Sequence, residues 1–376
     1  MRTLIYADHA ATTALSPAAC AAMQPWLQDK YGNPSALYNL AREPHKAVAT
    51  ARETIAACIG ARPEEIYFTS GGTEADNWAL MGTAFRKLDR NGRIITSSIE
   101  HHAILHTCDF LKRMGYDVDL LPVNRQGLIM GETLKGYLRN ETLLVSIMLA
   151  NNEIGTIEPI KELAEIAHRH GCLFHTDAVQ AVGHILIDVN NLGVDMLSAS
   201  AHKFNGPKGI GFLYIRDGVT TESLLHGGVQ ENGQRAGTEN VAGIVGMAVA
   251  LQEHIERIEQ ETTYLQKLTD LLLQALRNAG LDFVVNGGDN RIPGSLSLSF
   301  RGVDGETLLH RLDLLGTAVA TGSACDAKNP ILSHVIRAIG VSDAYAHGTI
   351  RITLGMDNTI DQTSVLAEQI SHILDK

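Results

Sequence analysis

Between residues 65 and 215 the sequence repeats one pattern: a short run rich in β-branched residues, then a longer stretch with helical periodicity. The runs EIYFTS, RIITSS, DVDLLPV, TLLVSIML, CLFHTDAV, DMLSAS and GIGFLYI read as strands, and GTEADNWALMGTAFRKL and IKELAEIAHRHG read as helices between them. Such alternation implies an α/β fold, a mostly parallel sheet with helices on both faces. A polar-patterned helix follows from Gln252 to Ala279. Beyond it the strand-like runs GSLSLSF and TIRITLG, with two more helices, have the pattern of a smaller α+β domain. A length of 376 residues suits two domains. We expect a large one over residues 15–255 and a small one over 256–376 that also takes in the segment 1–14, with the long helix as the hinge. There is no internal repeat and no low-complexity tract.

The formal charge of −11 leaves no basic field for polyphosphate, which argues against direct nucleic-acid binding. The longest apolar helical stretch, VAGIVGMAVAL, is 11 residues. Crossing a bilayer takes about 20, so no membrane span is expected. The N-terminal stretch meets Asp8 before a signal-like core could form, and the cytoplasm is the expected compartment. Five cysteines at uneven spacings fit neither a disulfide framework nor a zinc motif, and no metal site is expected.

In an open α/β sheet the ligand sits beyond the carboxyl ends of the strands. Asp177 ends the run CLFHTD, and Lys203 follows DMLSAS, so acid and amine can face one crevice. By spacing alone the pair reads equally well as a surface salt bridge. A third strand end adds Ser70, Gly71, Gly72 and Thr73 at a helix start, where free backbone N–H groups can hold an anion. The same glycines would also serve a tight turn. Neither G-x-x-x-x-G-K-[ST] nor G-x-G-x-x-G is present. An anion cradle, a lysine and an aspartate on one crevice suit pyridoxal phosphate: the lysine holds the aldehyde as a Schiff base, and the aspartate keeps the ring nitrogen protonated.

At this point the chain resembles the cysteine desulfurases, pyridoxal phosphate enzymes of fold type I in the class-V aminotransferase group. The motifs that carry the resemblance run through nearly the whole length: YADHAATT (6–13), YGNPS (31–35), FTSGGTEADN (68–77), EHHAI (100–104), NNEIGTI (151–157), HTDAVQAVG (175–183), SAHKFNGPKGIG (200–211), HGGVQENGQRAGTEN (226–240), TGSACD (321–326) and IRITLG (350–355). The resemblance implies that Lys203 is the Schiff-base lysine, Asp177 the partner of the ring nitrogen and Gln180 the donor to the phenolic oxygen. Asn152 would orient cofactor and substrate, and His101 would lie over the ring and take part in proton transfer. Gly72, Thr73, Ser200 and His202 would hold the phosphate, helped by Thr238 from a second subunit of a homodimer. Arg351 would clamp the substrate carboxylate through its planar guanidinium.

The implied reaction turns L-cysteine into L-alanine and leaves the sulfur as a persulfide on Cys325, for a protein acceptor in iron–sulfur cluster assembly or tRNA thiolation. Cys325 lies in the polar run ATGSACDAKNP, suited to a mobile nucleophile. Cys20, Cys58, Cys108 and Cys172 read instead as small buried hydrophobes. The alternative is another reaction of the same fold, transamination or selenocysteine lysis. The sequence departs from the family pattern at His9, Tyr38 and Asn232 and in DAKNPILSHV after Cys325. The first two read as packing variation, and Asn232 either as weaker hydrogen bonding at the subunit edge near Thr238 or as a sign of a different partner.

Overall fold

Each short β-branched run forms a strand in the structure, a computed structural model that describes residues 4–86, 92–322 and 332–375. In chain order the strands are β1 (Ile5–Tyr6), β2 (Ile66–Thr69), β3 (Arg93–Ser97), β4 (Asp117–Leu121), β5 (Thr142–Ser146), β6 (Leu173–Asp177), β7 (Met196–Ser200), β8 (Gly211–Ile215), β9 (Phe283–Val285), β10 (Ser295–Phe300), β11 (Thr317–Ala318) and β12 (Thr349–Thr353). The helices used below are α1 (Pro17–Gln28), α2 (Arg42–Cys58), α3 (Gly72–Phe85), α4 (His102–Arg113), α5 (Gly131–Tyr137), α6 (Ile160–Arg169), α7 (Val189–Leu192), α8 (Val241–Asn278), α9 (Gly305–Leu314), α10 (His334–Ala338), α11 (Asp343–Ala346) and α12 (Ile360–Leu374).

The central sheet has the order β2-β8-β7-β6-β5-β3-β4. The pairings β3–β4, β3–β5, β5–β6 and β6–β7 are parallel, whereas β8 runs antiparallel to both β2 and β7. The reversal has a local cause. The connection from β7 to β8 is too short for a helical crossover, which takes roughly a dozen residues or more, so the chain turns straight back. Every residue of β7 and β8 is buried, as expected where helices cover both faces.

A second core lies around the antiparallel sheet β12-β10-β9, where Leu296, Leu298, Phe300, Ile350 and Ile352 meet Leu366 and Ile370 of α12. The N-terminal segment joins it: β1 pairs with β11, and Asp8 bridges to Thr353. The apolar helical stretch from Val241 and the polar-patterned helix after it are one helix between the cores. α8 starts at Val241, with Asn240 Oδ1 accepting from the Gly243 amide at 3.0 Å, and it runs unbroken for 38 residues. Its first turns are apolar on all sides and buried in the main core, so they show no amphipathic period. Leu265, Leu268, Leu272 and Leu276, further along, enter the second core.

Candidate active site

β6 and β7 are parallel neighbours and β2 runs the same way, so three strand ends open on one edge of the sheet. A cavity of about 600 Å³ lies there, lined among others by Gly72, Thr73, His101, Asp177, Lys203 and Arg351. Lys203 ends a single 3₁₀ turn after β7. Its Nζ donates to the carbonyls of Ala10 at 2.6 Å and Ala11 at 2.9 Å, which ties the amine to the N-terminal segment. Asp177 ends β6 in register with Ser198 of β7. Its Oδ1 accepts from the Val179 amide at 2.9 Å. Burial raises its carboxyl above the ordinary aspartate range, against the pull of that amide and of Lys203.

The cradle at the start of α3 depends on glycine. Gly71 has φ +150°, a conformation open to glycine, and a Cβ at Gly72 would press to 2.5 Å from Val179 Cγ2. The first turn of a 14-residue helix therefore faces the cavity without side chains in the way. Ser200 stands beside it, its Oγ 3.5 Å from where a Gly71 Cβ would sit. His202 Nδ1 meets Thr12 Oγ1 at 3.1 Å. Burial, with Lys203 and Lys208 nearby, pushes the His202 imidazole down to about 4, so it is neutral at neutral pH.

His101 caps α4: its Nδ1 accepts from the Ala103 amide at 3.1 Å, leaving the proton on Nε2. Burial first, then Lys203 and the neighbouring histidines 102, 334 and 106, push its pKa down to about 4. Arg351 is buried in β12. It donates from Nη1 to the Asn152 carbonyl at 2.9 Å and from Nη2 to Asp8 Oδ1 at 2.7 Å, while its Nε has no hydrogen-bond partner among the described residues. Gln180 Nε2 donates to the Ala10 carbonyl at 3.0 Å, and Asn152 lines the cavity beside Arg351.

The structure thus brings together Gly72, Thr73, His101, Asn152, Asp177, Gln180, Ser200, His202, Lys203 and Arg351. Thr238 is not among them. It is exposed and lines a separate hollow of about 180 Å³ with Ser70 and Gly209. Cys325 lies outside the described residues.

The reading of the thiols changes in part. Cys20 is exposed on α1, against the reading of a buried thiol, and Cys58 is half-buried; Cys108 and Cys172 are buried as expected. Asn232 has φ +56° and ψ +31° in a turn whose neighbour Glu231 is buried against Arg52, at 2.7 and 2.8 Å. The residue type suits that left-handed backbone, since asparagine tolerates it better than most side chains do.

The sequence reading missed Asp76, which is buried in the first turns of α3 and lines the same cavity. Its Oδ1 has no hydrogen-bond partner among the described residues, and burial, with Asp177 nearby, holds its carboxyl well above the usual range. The available signal was a charge one turn past the glycines on a helix face otherwise apolar. Glu153 was missed too. It is buried, its Oε2 accepts from Ser333 Oγ at 2.5 Å, and burial pushes it up to about 7.

The residues fit pyridoxal phosphate: a glycine cradle that a Cβ would fill lies at one end, with a buried carboxylate, a lysine amine and an imidazole around the same cavity. No described helix is long and apolar enough to cross a membrane, and no cluster of described residues could hold a metal ion.

The aminotransferase class-V family profile matches residues 5–366. Cysteine desulfurase IscS of Dictyoglomus turgidum is 48% identical over 377 aligned positions, covering 100% of this chain and 96% of that protein. The enzyme of the same name from Methanosarcina thermophila is 45% identical over 99% of this chain and 92% of its own length. A solved structure described as a NifS-like protein superposes with a TM-score of 0.94 at 38% identity, over 99% of this chain and 100% of the other. One described as SspA in complex with cysteine gives 0.84 at 38% identity, over 94% and 99%. With its strand-end lysine and aspartate, its glycine cradle and these full-length likenesses, the chain belongs to the class-V aminotransferase family, among the cysteine desulfurases.

Proposed function

We propose that the chain converts L-cysteine to L-alanine at this cavity, delivering the sulfur to Cys325 and from there to a protein acceptor in iron–sulfur cluster assembly or tRNA thiolation. The observation that carries the reading is the placement of Lys203 and Asp177 at adjacent strand ends, in one cavity with Arg351. Pyridoxal phosphate, when bound, supplies a carbonyl for the substrate amine and a ring that accepts electrons from the substrate α-carbon. Gly72, Thr73, Ser200 and His202 hold its phosphate, together with Thr238 of the partner subunit. Asp177 pairs with its ring nitrogen, Gln180 with its phenolic oxygen, and Lys203 anchors it covalently.

Arg351 and Asn152 hold the substrate carboxylate. The Lys203 amine would remove the substrate α-proton, and the neutral His101, with its proton on Nε2, would serve as a proton donor in the same cavity. The Cys325 thiolate forms an S–S bond to the substrate sulfur as the Cβ–S bond breaks. The electron pair stays with the β-carbon, which takes up a proton to become the methyl group of alanine.

Two further readings belong with this one. The chain acts as a homodimer: Thr238 lines an adjoining hollow and not the cavity of its own chain, and the large apolar side chains of Leu37 and Val229 are 104% and 85% exposed. Residues 15–255 and 256–376, the latter with 1–14, act as two units hinged on α8. The free thiols of Cys20, Cys58, Cys108 and Cys172 suit a reducing compartment, the cytoplasm.

The test is a single turnover with cysteine, following alanine and the intact mass of the protein. The parent gains one sulfur on Cys325 as alanine appears. Cys325→Ser keeps the visible absorbance of the loaded enzyme and gains none, and Lys203→Ala loses the parental absorbance. Parental sulfur release by Cys325→Ser would reject the role of that cysteine, and an unchanged spectrum in Lys203→Ala would reject that of the lysine.

A further inference from the structure

The loop Asn151–Ile157 enters the site at Asn152, but the next residue turns away from the cofactor cavity. Glu153 is 4% exposed, and burying a carboxyl group is costly enough to need a reason. Its backbone is pinned: the amides of Glu153 and Ile154 both donate to Asn151 Oδ1, at 2.8 and 3.0 Å, and Asn151 Nδ2 donates to the Ile99 carbonyl at 2.8 Å. On this fixed base the side chain reaches residues far away in sequence. Ser333 Oγ donates to Glu153 Oε2 at 2.5 Å, and the same hydroxyl caps α10 by accepting from the Val335 amide at 3.1 Å.

Gly322 packs against the same oxygen of that carboxylate. A Cβ there would collide with Glu153 Oε2 and come within 3.2 Å of Ser333 Cβ, so glycine is what lets the three groups meet. Gly322 also lines the cofactor cavity. Immediately before Glu153, the Asn152 carbonyl accepts from Arg351 Nη1 at 2.9 Å. One short loop thus grips the substrate-carboxylate end of the site through Asn152, and the chain on either side of Cys325 through Glu153.

We propose that Glu153 is a positioning residue for sulfur transfer, its carboxylate fastening Gly322 and Ser333 to the loop that also holds Arg351. This rests on the reading of Cys325 as the sulfur carrier. The role needs an oxygen that accepts from Ser333 and fills the space against Gly322. A glutamine supplies both and an alanine neither. Misplacing a reacting group by an ångström slows a step without weakening binding, so the effect falls on transfer and not on cysteine capture.

The experiment uses the cofactor-loaded dimer in single turnover. It reads the cysteine-induced change in visible absorbance for binding, and the growth of persulfide on Cys325 by intact mass for transfer. Glu153→Ala is expected to keep the cysteine dependence of the absorbance change within about twofold and to slow persulfide formation by about tenfold or more. Glu153→Gln returns transfer to within about threefold of the parent. Gly322→Ala, which leaves Glu153 in place but forces its carboxylate aside, slows transfer as Glu153→Ala does and serves as the test if the latter does not fold. Parental persulfide formation in Glu153→Ala and Gly322→Ala would overturn the proposal. So would a Glu153→Gln variant as slow as alanine, or a loss confined to cysteine binding. Cys325→Ser run in parallel separates the two readings: if it still releases sulfur at the parental rate, the carrier assignment fails whatever Glu153 does.

Discussion

In the proposed mechanism His101 does two jobs with two nitrogens. Nδ1 accepts from the Ala103 amide and starts α4, while Nε2 keeps a proton that can be offered toward the ring. The division is enforced by protonation state, because burial and the nearby Lys203 hold the imidazole neutral. A substitution that keeps the cap and removes the ring should separate the roles. His101→Asn retains a side-chain acceptor at the N-cap, so its stability should stay near the parent's, whereas His101→Ala should lose about 1 kcal/mol. Both should lower turnover by about a hundredfold or more. Urea unfolding alongside steady-state alanine formation checks this, and a fully active His101→Asn would remove the ring from the chemistry. Lys203 Nζ in turn meets the carbonyls of both Ala10 and Ala11, which fixes the side chain against the N-terminal segment.

At the scale of elements, the segments around the site carry buried acids whose protonation links stability to pH. Glu158, just ahead of α6, is buried; its Oε2 accepts from the Ile129 amide at 3.0 Å and its Oε1 has no partner among the described residues. Burial pushes its carboxyl up to about 8. A carboxyl with a raised folded-state pKa keeps a proton that the unfolded chain has released. Its contribution is therefore full below the unfolded value near 4.5 and is lost as pH rises through about 8. Glu158→Gln cannot ionise, so its stability should fall less between pH 6 and pH 9 than the parent's, by at least about 1 kcal/mol. Thermal unfolding of both proteins across that range decides it, and parallel curves would mean that Glu158 does not titrate there. The β7–β8 return is an element-scale feature too: a short connection placed Lys203 between two strands that could not be parallel.

For the whole molecule, the two cores are tied together by α8 and by the N-terminal segment, which pairs with β11 and also carries the carbonyls that meet Lys203. The remaining expected member of the phosphate site, Thr238, does not line the cavity of its own chain but an adjoining hollow, and the proposed function assigns its role to a second copy. Mixed dimers test this. Thr238→Ala should weaken cofactor retention, and Lys203→Ala should be inactive. A dimer with one change on each chain should regain one intact site, on the chain that keeps Lys203 and receives an unaltered Thr238 from its neighbour. Activity near half of the parent's in the mixed dimer, against little in either parent variant, is the expected result. A mixture no better than its components would place Thr238 outside the phosphate site.

Some of this architecture was written locally. The seven strand runs, Lys203 after DMLSAS, Asp177 at the end of CLFHTD and the Gly71–Gly72 pair could all be read because period, strand length and glycine requirement are properties of short windows. That VAGIVGMAVAL and the polar-patterned stretch after it form one continuous helix was not legible, since a segment apolar on all sides has no polar face to carry the period across. Cys20 was misread as buried for the converse reason: an alanine-rich helix looks apolar whichever side meets solvent. What only the tertiary structure decided are contacts between distant positions: Lys203 with Ala10, Arg351 with Asp8 and Asn152, and Glu153 with Gly322 and Ser333. Each joins residues separated by well over a hundred positions. No local period encodes such a pairing; it exists because two independently formed sheets and one long helix hold those segments against each other.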